Sequence, residues 1–157
     1  MDPHIFRVGD APTPFTSDEI RGGCPSGRTI RLRIDTPGEE PVIKMIHFVE
    51  VDKEGATQES TTSPAGRPDQ GTPVTTSSTW EEYQSHASFP RRATTIEREL
   101  RDTPLGHLDC ARYTVVDGDR TEVFWFDLGR PGMPVRIETY EAGEILSTMA
   151  MIEDTDH

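Results

Sequence analysis

The sequence lacks asparagine altogether and contains only two lysines, Lys44 and Lys53, so arginine supplies nearly all of the positive charge. Without asparagine there is no acceptor for an N-linked glycan. A cation set made of arginine is typical of bidentate contacts with carboxylates or phosphates. A GC-rich coding sequence, which depletes lysine and asparagine together, is the simpler explanation, and we favour it.

Cysteine is equally scarce. Cys24 and Cys110 are too few for a disulfide scaffold, and their spacing matches no metal site. We therefore expect no bound metal and two free thiols, at least one of them buried as a small apolar side chain. A reactive thiol is the alternative.

No apolar run reaches the roughly 18 residues that a membrane-spanning helix needs. The 157 residues carry 28 acidic side chains against 16 lysines and arginines, a net charge of −12. This balance argues against nucleic acid or an anionic membrane as a partner. Residues 1–5 form neither a basic nor a strongly apolar segment, so we expect no secretory signal and a cytoplasmic location. The length fits a single domain over residues 1–157.

The fingerprints of common cofactor and nucleophile chemistry are absent as well. The sequence has no glycine-rich phosphate loop, no HExxH or CxxC motif, no GxSxG elbow and no calcium loop. We therefore expect no cofactor. Acid–base chemistry stays open, because it needs only two or three groups that the fold brings together.

The N-terminal part of the chain predicts an arm followed by a short helix. Residues 1–15 contain three prolines, which disfavour helix and indicate an extended N-terminal arm. Thr16 and Glu19 have the spacing of a capping box, and Gly22 and Gly23 are expected to end the helix that it opens.

The segment 55–79 is crowded with serine, threonine, glycine and proline, and Val74 is its only large aliphatic residue. It predicts a flexible loop, because so little apolar surface cannot offset the entropy of ordering. Its start, residues 56–62, is a candidate edge strand. Overlapping capping boxes then predict a helix from Trp80 to about Ala87.

Alternating apolar and polar residues predict strands in the rest of the chain. The predicted strands cover residues 28–34, 42–51, 93–100, 107–116, 120–128, 135–140 and 144–152. Short turns join the last five, which is typical of an antiparallel meander. The fold class is therefore mainly β: a curved meander or half-barrel of roughly seven to eight strands, with one or two short helices packed on it.

Two hairpin registers follow from turn chemistry. If Asp117 and Gly118 form a two-residue loop, Tyr113 lies opposite Glu122. In the last hairpin, a three-residue loop over residues 141–143 keeps two glutamates, at positions 141 and 144, from facing each other, so we predict that loop.

Asp109 is the first candidate for catalysis. The predicted register puts it on the face that carries Tyr113, Phe124 and Phe126, where a carboxylate would be desolvated and suited to proton transfer. Alternatively, Asp109 sits at a solvated strand end. His86 is the second candidate, as a general base, and Arg136 is a possible partner.

The aromatic residues are either core or the lining of a ligand pocket. If the sheet curls enough to leave a cavity, their rings would line it. The candidate ligand-binding residues are Trp80, Tyr113, Phe124, Trp125, Phe126 and Arg136.

Residues 106–153 show a family resemblance. Their pattern is Gly106-x-x-Asp109-Cys110-x-x-Tyr113, then Phe124-Trp125-Phe126, and Pro131-Gly132-x-Pro134-Val135-x-x-Glu138 before a terminal strand. This rhythm of strands and turns resembles the meander of bacterial lipoprotein-carrier-like half-barrel proteins. The resemblance implies a curved sheet that encloses an acyl chain in an exported carrier.

Three hypotheses follow. The first is a soluble binding protein that holds an apolar small molecule or acyl group in the curved sheet. The second is a cofactor-independent isomerase, cyclase or hydrolase in which Asp109 and His86 act as the acid–base pair. The third is an interaction module that forms a homodimer through a sheet face or edge.

Overall fold

The computed structural model describes residues 1–67 and 71–156. In these residues, the strands form one antiparallel sheet in the order β4-β3-β2-β1-β9-β8-β7-β6-β5. The strands are β1 Thr29–Asp35, β2 Val42–Val51, β3 Gly55–Pro64, β4 Val74–Thr79, β5 Thr94–Thr103, β6 Gly106–Asp117, β7 Arg120–Asp127, β8 Arg136–Glu141 and β9 Glu144–Thr155. The helices are α1 Ser17–Gly23 and α2 Trp80–Ser85, with a short 3-10 helix at Arg91–Ala93.

The sheet consists of two meanders joined along one seam. Strands β1–β4 form the first meander and β5–β9 the second, and the pairing of β1 with β9 unites them. Strands β4 and β5 lie at opposite edges, so the sheet is open. Register shifts interrupt the pairing of β1 with β9, β2 with β3 and β8 with β9. Such bulges bend strands, and the predicted fold class, a mainly β half-barrel with short helices, is confirmed.

The extra strand relative to the prediction arises in segment 55–79. The sequence predicts a flexible loop there, yet β3 pairs with β2 from Ala56 to Pro64, and β4 pairs with β3. The physical reason is that paired neighbours satisfy the backbone, while threonine and serine suit a half-exposed sheet surface. The hydroxyls of Thr57 and Ser77 lie 3.1 Å apart across this pair. Residues 68–70 lie outside the described residues, and flexibility of the segment stays a prediction.

A capping box forms at the start of each helix, and of the two overlapping boxes predicted before Trp80 the one at Thr79 is the one that forms. Thr16 and Glu19 exchange side-chain and backbone hydrogen bonds at the start of α1, and Thr79 and Glu82 do so at α2. Helix α1 ends at Gly23 as predicted, whereas α2 ends at Ser85, slightly before the predicted end.

Gln84 connects the helices to the N-terminal arm. Its Oε1 accepts a hydrogen bond of 2.6 Å from the Ser17 hydroxyl, and its Nε2 donates to the Pro3 carbonyl at 2.9 Å and to Thr13 Oγ1 at 3.0 Å. The arm contains turns and no strand, apart from a single bridge between Asp10 and Pro90. The buried side-chain amide of Gln84 therefore attaches the N-terminal arm to α2.

The β6–β7 hairpin corrects the predicted register by two residues. Asp117 pairs with Arg120, so the loop is Gly118-Asp119, and Tyr113 lies opposite Phe124 rather than Glu122. Gly118 has φ 60° at the first loop position, where a type II′ turn requires glycine. A two-residue shift keeps every side chain on its predicted face.

The β8–β9 hairpin differs more from its predicted loop. Glu141 lies directly opposite Glu144, the arrangement that the three-residue loop was expected to avoid. The loop is Ala142-Gly143, with φ 50° and 83°, as in a type I′ turn. Both glutamates are exposed, so water and salt screen their repulsion. A register shift between Thr139 and Tyr140 then returns the side chains of β8 and β9 to the faces that the three-residue loop predicts.

The core lies between the helices and one face of the sheet, which we call the inner face; the opposite face is the outer face. The most deeply buried side chains are Ile30, Leu32, Met151, Val135 and Cys110. No helix within residues 1–67 and 71–156 combines the length and apolarity that crossing a membrane requires.

Candidate ligand-binding cavity

A cavity of about 210 Å³ separates the inner face from helices α1 and α2. Strands β1, β2, β3, β7 and β8 form its floor, the two helices form its roof, and the β7–β8 loop closes one side. The lining residues are Ile20, Cys24, Arg28, Ile30, Ile46, Phe48, Gln58, Tyr83, His86, Ala87, Phe124, Phe126, Gly132, Met133, Pro134 and Ile137. The lining is mostly apolar, so the cavity is suited to an apolar occupant.

Phe124 and Phe126 contribute one wall. Their rings are nearly parallel, with centroids 6.3 Å apart, because residues two apart on a strand share a face. Phe89 stacks on Phe124 at 4.9 Å, and Tyr113 meets Phe126 edge-on at 5.3 Å. The wall is held from behind by these contacts. A role of Phe124 and Phe126 in ligand binding stays a prediction.

Trp80 and Tyr113 are buried beside the cavity rather than in its lining. Trp80 donates its indole N–H to the Asp52 carbonyl at 2.8 Å, which attaches α2 to the β2–β3 turn. Tyr113 donates its hydroxyl to the Pro12 carbonyl at 2.6 Å, and burial raises its pKa to about 12. Both residues hold the walls in place.

Trp125 and Arg136 lie on the outer face, away from the cavity. Trp125 alternates with Phe124 and Phe126 along β7 and therefore points the other way. The Arg101 guanidinium carbon lies 4.5 Å from the centroid of the Trp125 ring and that of Arg136 lies 6.0 Å away, which are cation–π distances. These two residues form part of a charged network rather than a pocket.

Carboxylates complete this outer network. Trp125 donates its N–H to Glu99, and Glu138 accepts a 2.7 Å hydrogen bond from Arg136 and one from the Tyr140 hydroxyl. Burial alone would raise the pKa of Glu138, but the hydrogen bonds from Tyr140 and Arg136 outweigh it, so the pKa is lowered. The network is thereby kept ionised.

The two predicted catalytic residues are not brought together. Asp109 is 53% exposed and forms an ion pair with Arg98, with Oδ2 and Nη2 2.5 Å apart. Asp109 lies on the same side of β6 as Tyr113, but it does not line the cavity. His86 does line the cavity and contacts Tyr83 edge-on at 6.4 Å. Asp109 is therefore solvated, as in the alternative prediction, although it lies inside β6 rather than at its end.

Sequence reasoning missed a buried ion pair at one end of the cavity. Arg28 and Asp154 are 3% and 7% exposed and bond in a bidentate manner, Nε to Oδ1 at 2.9 Å and Nη2 to Oδ2 at 3.0 Å. Arg130 adds a second cation to Asp154 at 2.5 Å. The sequence signal was the alternation of side chains, because Arg28, just before β1, continues the inward-facing series of Ile30 and Leu32.

Arg28 also contacts the other elements around this end of the cavity. Its Nη1 donates to the carbonyls of Gly23 at 2.8 Å and Pro131 at 3.0 Å, and it lies 3.2 Å from Cys24 Sγ. Burial raises the pKa of the Cys24 thiol despite the opposing charge of Arg28. Gly132 has φ 130°, which lets the β7–β8 loop approach Arg28 and Cys24 closely.

No three histidine, cysteine, aspartate or glutamate side chains in the described part of the chain are grouped so that they could hold a metal ion. No protein-family model and no curated protein matches the sequence. Among solved structures, the chain is similar to a LolA superfamily protein from Nitrosomonas europaea, with 12% identity, 90% of each chain covered and a TM-score of 0.29.

Proposed function

We propose that the chain is a binding protein that holds an apolar small molecule or acyl group in the cavity beneath α1 and α2. The observation that supports the proposal is the space itself, lined mainly by aliphatic and aromatic side chains and backed by stacked aromatic rings. Apolar cavities of about 150 Å³ stay dry and bind benzene, so an apolar lining of this kind favours an apolar occupant. The expected cytoplasmic location stays a prediction.

The volume sets the size of the occupant. Drug-sized ligands occupy pockets of about 300–1,000 Å³. At about 210 Å³, the cavity suits a single ring system or one unbranched alkyl chain. Helix α2 has only six residues, less than two turns, and contacts the sheet through Trp80 and Tyr83, so a bulkier ligand would require this helix to move.

The test blocks the cavity without touching the outer face. Ile137→Phe places a larger side chain in the cavity, whereas Ile43→Phe makes the same change on β2 with its side chain on the outer face. We expect n-decanol to raise the melting temperature of the wild type and of Ile43→Phe, and to leave Ile137→Phe unchanged. A ligand at 100 times its Kd stabilises the native state by about 2.7 kcal/mol. Equal shifts in all three proteins, or none in the wild type, would overturn the proposal.

Self-association through strand β5 is a second candidate function. β5 is an edge strand of ten residues without proline, and Leu100 is 66% exposed on it. Unprotected edges of this kind readily pair with another strand. Thr103 pairs with Gly106 across the two-residue turn to β6. Alternate residues of β5, among them Arg98 and Leu100, therefore direct their backbone N–H and C=O groups away from β6.

Charge complementarity supports a second copy of the chain as the partner. An antiparallel pair of β5 strands with Leu100 opposite Leu100 of the second copy places Arg98 opposite Asp102 and Glu99 opposite Arg101. Each charged pair then joins opposite signs, which stabilises the register. Neighbouring registers that keep the faces aligned place two glutamates or two arginines opposite each other.

Light scattering coupled to size exclusion tests this pairing. We expect twice the chain mass of 17.6 kDa for the wild type and a single chain mass for Leu100→Glu. Val116→Glu is the matched control, because Val116 is 49% exposed but lies at the far end of β6, away from the edge. A wild-type mass of one chain at every concentration would contradict the candidate.

A further inference from the structure

A second, polar groove continues the apolar cavity along the inner face. It has a volume of about 460 Å³ and shares Gln58 with the apolar cavity. Its lining residues are Lys44, Gln58, Ser60, Thr62, Thr72, Val74 and Thr76. Hydroxyl, amide and ammonium groups thus replace the aliphatic and aromatic side chains of the neighbouring cavity.

The change in chemistry follows from strand register. Along β2, the inward side chains are Lys44, Ile46 and Phe48, and in β3 the residues opposite them are Thr62, Ser60 and Gln58. The apolar residues of β2 lie toward helix α2, and the polar ones lie away from it. One continuous surface therefore has an apolar end under the helices and a polar end beyond them.

Among the described residues that line the groove, Lys44 is the one with a charged side chain. It is half-buried, and within residues 1–67 and 71–156 it forms no ion pair. Partial burial of an ammonium group without a counter-charge is unfavourable, so an anion beside it gains both charge neutralisation and hydrogen bonds. The hydroxyls of Ser60, Thr62 and Thr76 can donate further hydrogen bonds to the same anion.

We propose that the groove holds the anionic headgroup of an amphiphile whose apolar part lies in the neighbouring cavity. The headgroup class is a carboxylate, phosphate or sulfate ester, and Lys44 is its counter-charge. This inference rests on the proposed function, because it assigns the apolar part of the same ligand to the cavity under α1 and α2. Gln58, which lines both spaces, lies at the junction of tail and headgroup.

Calorimetry with three probes tests the inference. n-Decanol and n-decyl phosphate carry the same alkyl chain and differ in headgroup, and inorganic phosphate carries the headgroup alone. We expect decyl phosphate to bind the wild type about tenfold or more tightly than decanol, since a charge-assisted hydrogen bond contributes enough for that factor. Inorganic phosphate alone is expected to bind only weakly.

The chain offers a matched control for Lys44 in its other lysine. Lys44→Gln should reduce the affinity for decyl phosphate about tenfold and leave decanol binding unchanged. Lys53→Gln, in the exposed β2–β3 turn, should change neither. Melting temperatures of both variants, compared with the wild type, confirm that they are folded.

The outcomes separate this inference from the proposed function. If decanol binds but Lys44→Gln leaves decyl phosphate affinity unchanged, the headgroup assignment is overturned and the apolar cavity stands. If phosphate alone binds at Lys44 as tightly as decyl phosphate, the groove is a free anion site and the amphiphile assignment is overturned. If neither alkyl probe binds, the proposed function and this inference both fail.

Discussion

Arg28 and Asp154 meet in the interior from opposite ends of the chain, with Nε of the arginine 2.9 Å from Oδ1 of the aspartate. The first lies just before β1 and the second lies in β9, the strand that pairs with β1. The same guanidinium bonds to the carbonyls of Gly23 and Pro131, so it joins the end of α1 and the β7–β8 loop to the central strands. This pair therefore connects the roof, floor and side of the cavity.

Replacement of Asp154 by asparagine should destabilise the protein strongly. It leaves the buried charge of Arg28 without its partner, and breaking such a pair costs about 3–5 kcal/mol. The measurement is the free energy of unfolding in urea at pH 7. Glu153→Gln is the adjacent control, because Glu153 is 55% exposed and its pair with Arg31 is expected to contribute about 0–1 kcal/mol. Similar losses in the two variants would refute this prediction.

The contribution of Asp154 to the free energy of unfolding should depend on pH in the acid range. Burial acts to raise its pKa, but hydrogen bonds from Arg28 and Arg130 outweigh burial and hold the pKa below its ordinary value of 3.8. A lowered pKa in the folded state means that the stabilisation is complete above the unfolded value and is lost as the pH falls through the folded one. The stability difference between wild type and Asp154→Asn should therefore be constant from pH 7 to 5 and decrease below about pH 4. A difference that already shrinks between pH 7 and 5 would argue against this assignment.

Two glycine substitutions should change the stability of the protein in opposite directions. An added Cβ at Gly132 would lie 3.2 Å from Arg28 Nη1 and 3.4 Å from Cys24 Sγ, on a backbone with φ 130°. Gly132→Ala should therefore cost about 1–3 kcal/mol. Gly22, in α1, has open space around it, so Gly22→Ala should stabilise by about 0.5–1 kcal/mol. Thermal melts of both variants test the pair, and a stabilised Gly132→Ala would disprove the close approach.

The two thiols should react slowly with iodoacetamide in the native state. Burial raises the pKa of Cys24, and burial with nearby carboxylates raises that of Cys110 to about 11, so little thiolate is present at pH 8. Mass spectrometry of the modified protein should show fast labelling only after unfolding in urea. Rapid native labelling of Cys24 would instead identify it as the reactive thiol that the sequence left open.

Local patterns predicted much of the fold because the causes are local. The capping boxes at Thr16 and Thr79 need only residues three positions away, and the structure confirms both. The alternation along β7 correctly placed Phe124 and Phe126 on one face and Trp125 on the other. That same parity excludes Trp125 from the cavity, so this part of the site was available from the sequence.

The failures come from interactions that a single strand does not encode. The Glu141–Glu144 pair forms because a type I′ turn at Ala142-Gly143 outweighs a screened repulsion. The strand at residues 74–79 has little apolar surface of its own, and its pairing with β3 orders it. The partner of Arg28 lies more than a hundred residues away, where no local pattern points to it.

The seam between β1 and β9 has a consequence for the synthesis of the protein. As the chain leaves the ribosome, β1 to β4 emerge first, and β1 must wait with one edge open until residue 155 has been translated. Contacts of such long sequence separation also slow folding, because loop closure is costly. A chaperone that covers the nascent β1 edge would therefore raise the yield of native protein, whereas faster elongation would shorten the vulnerable interval.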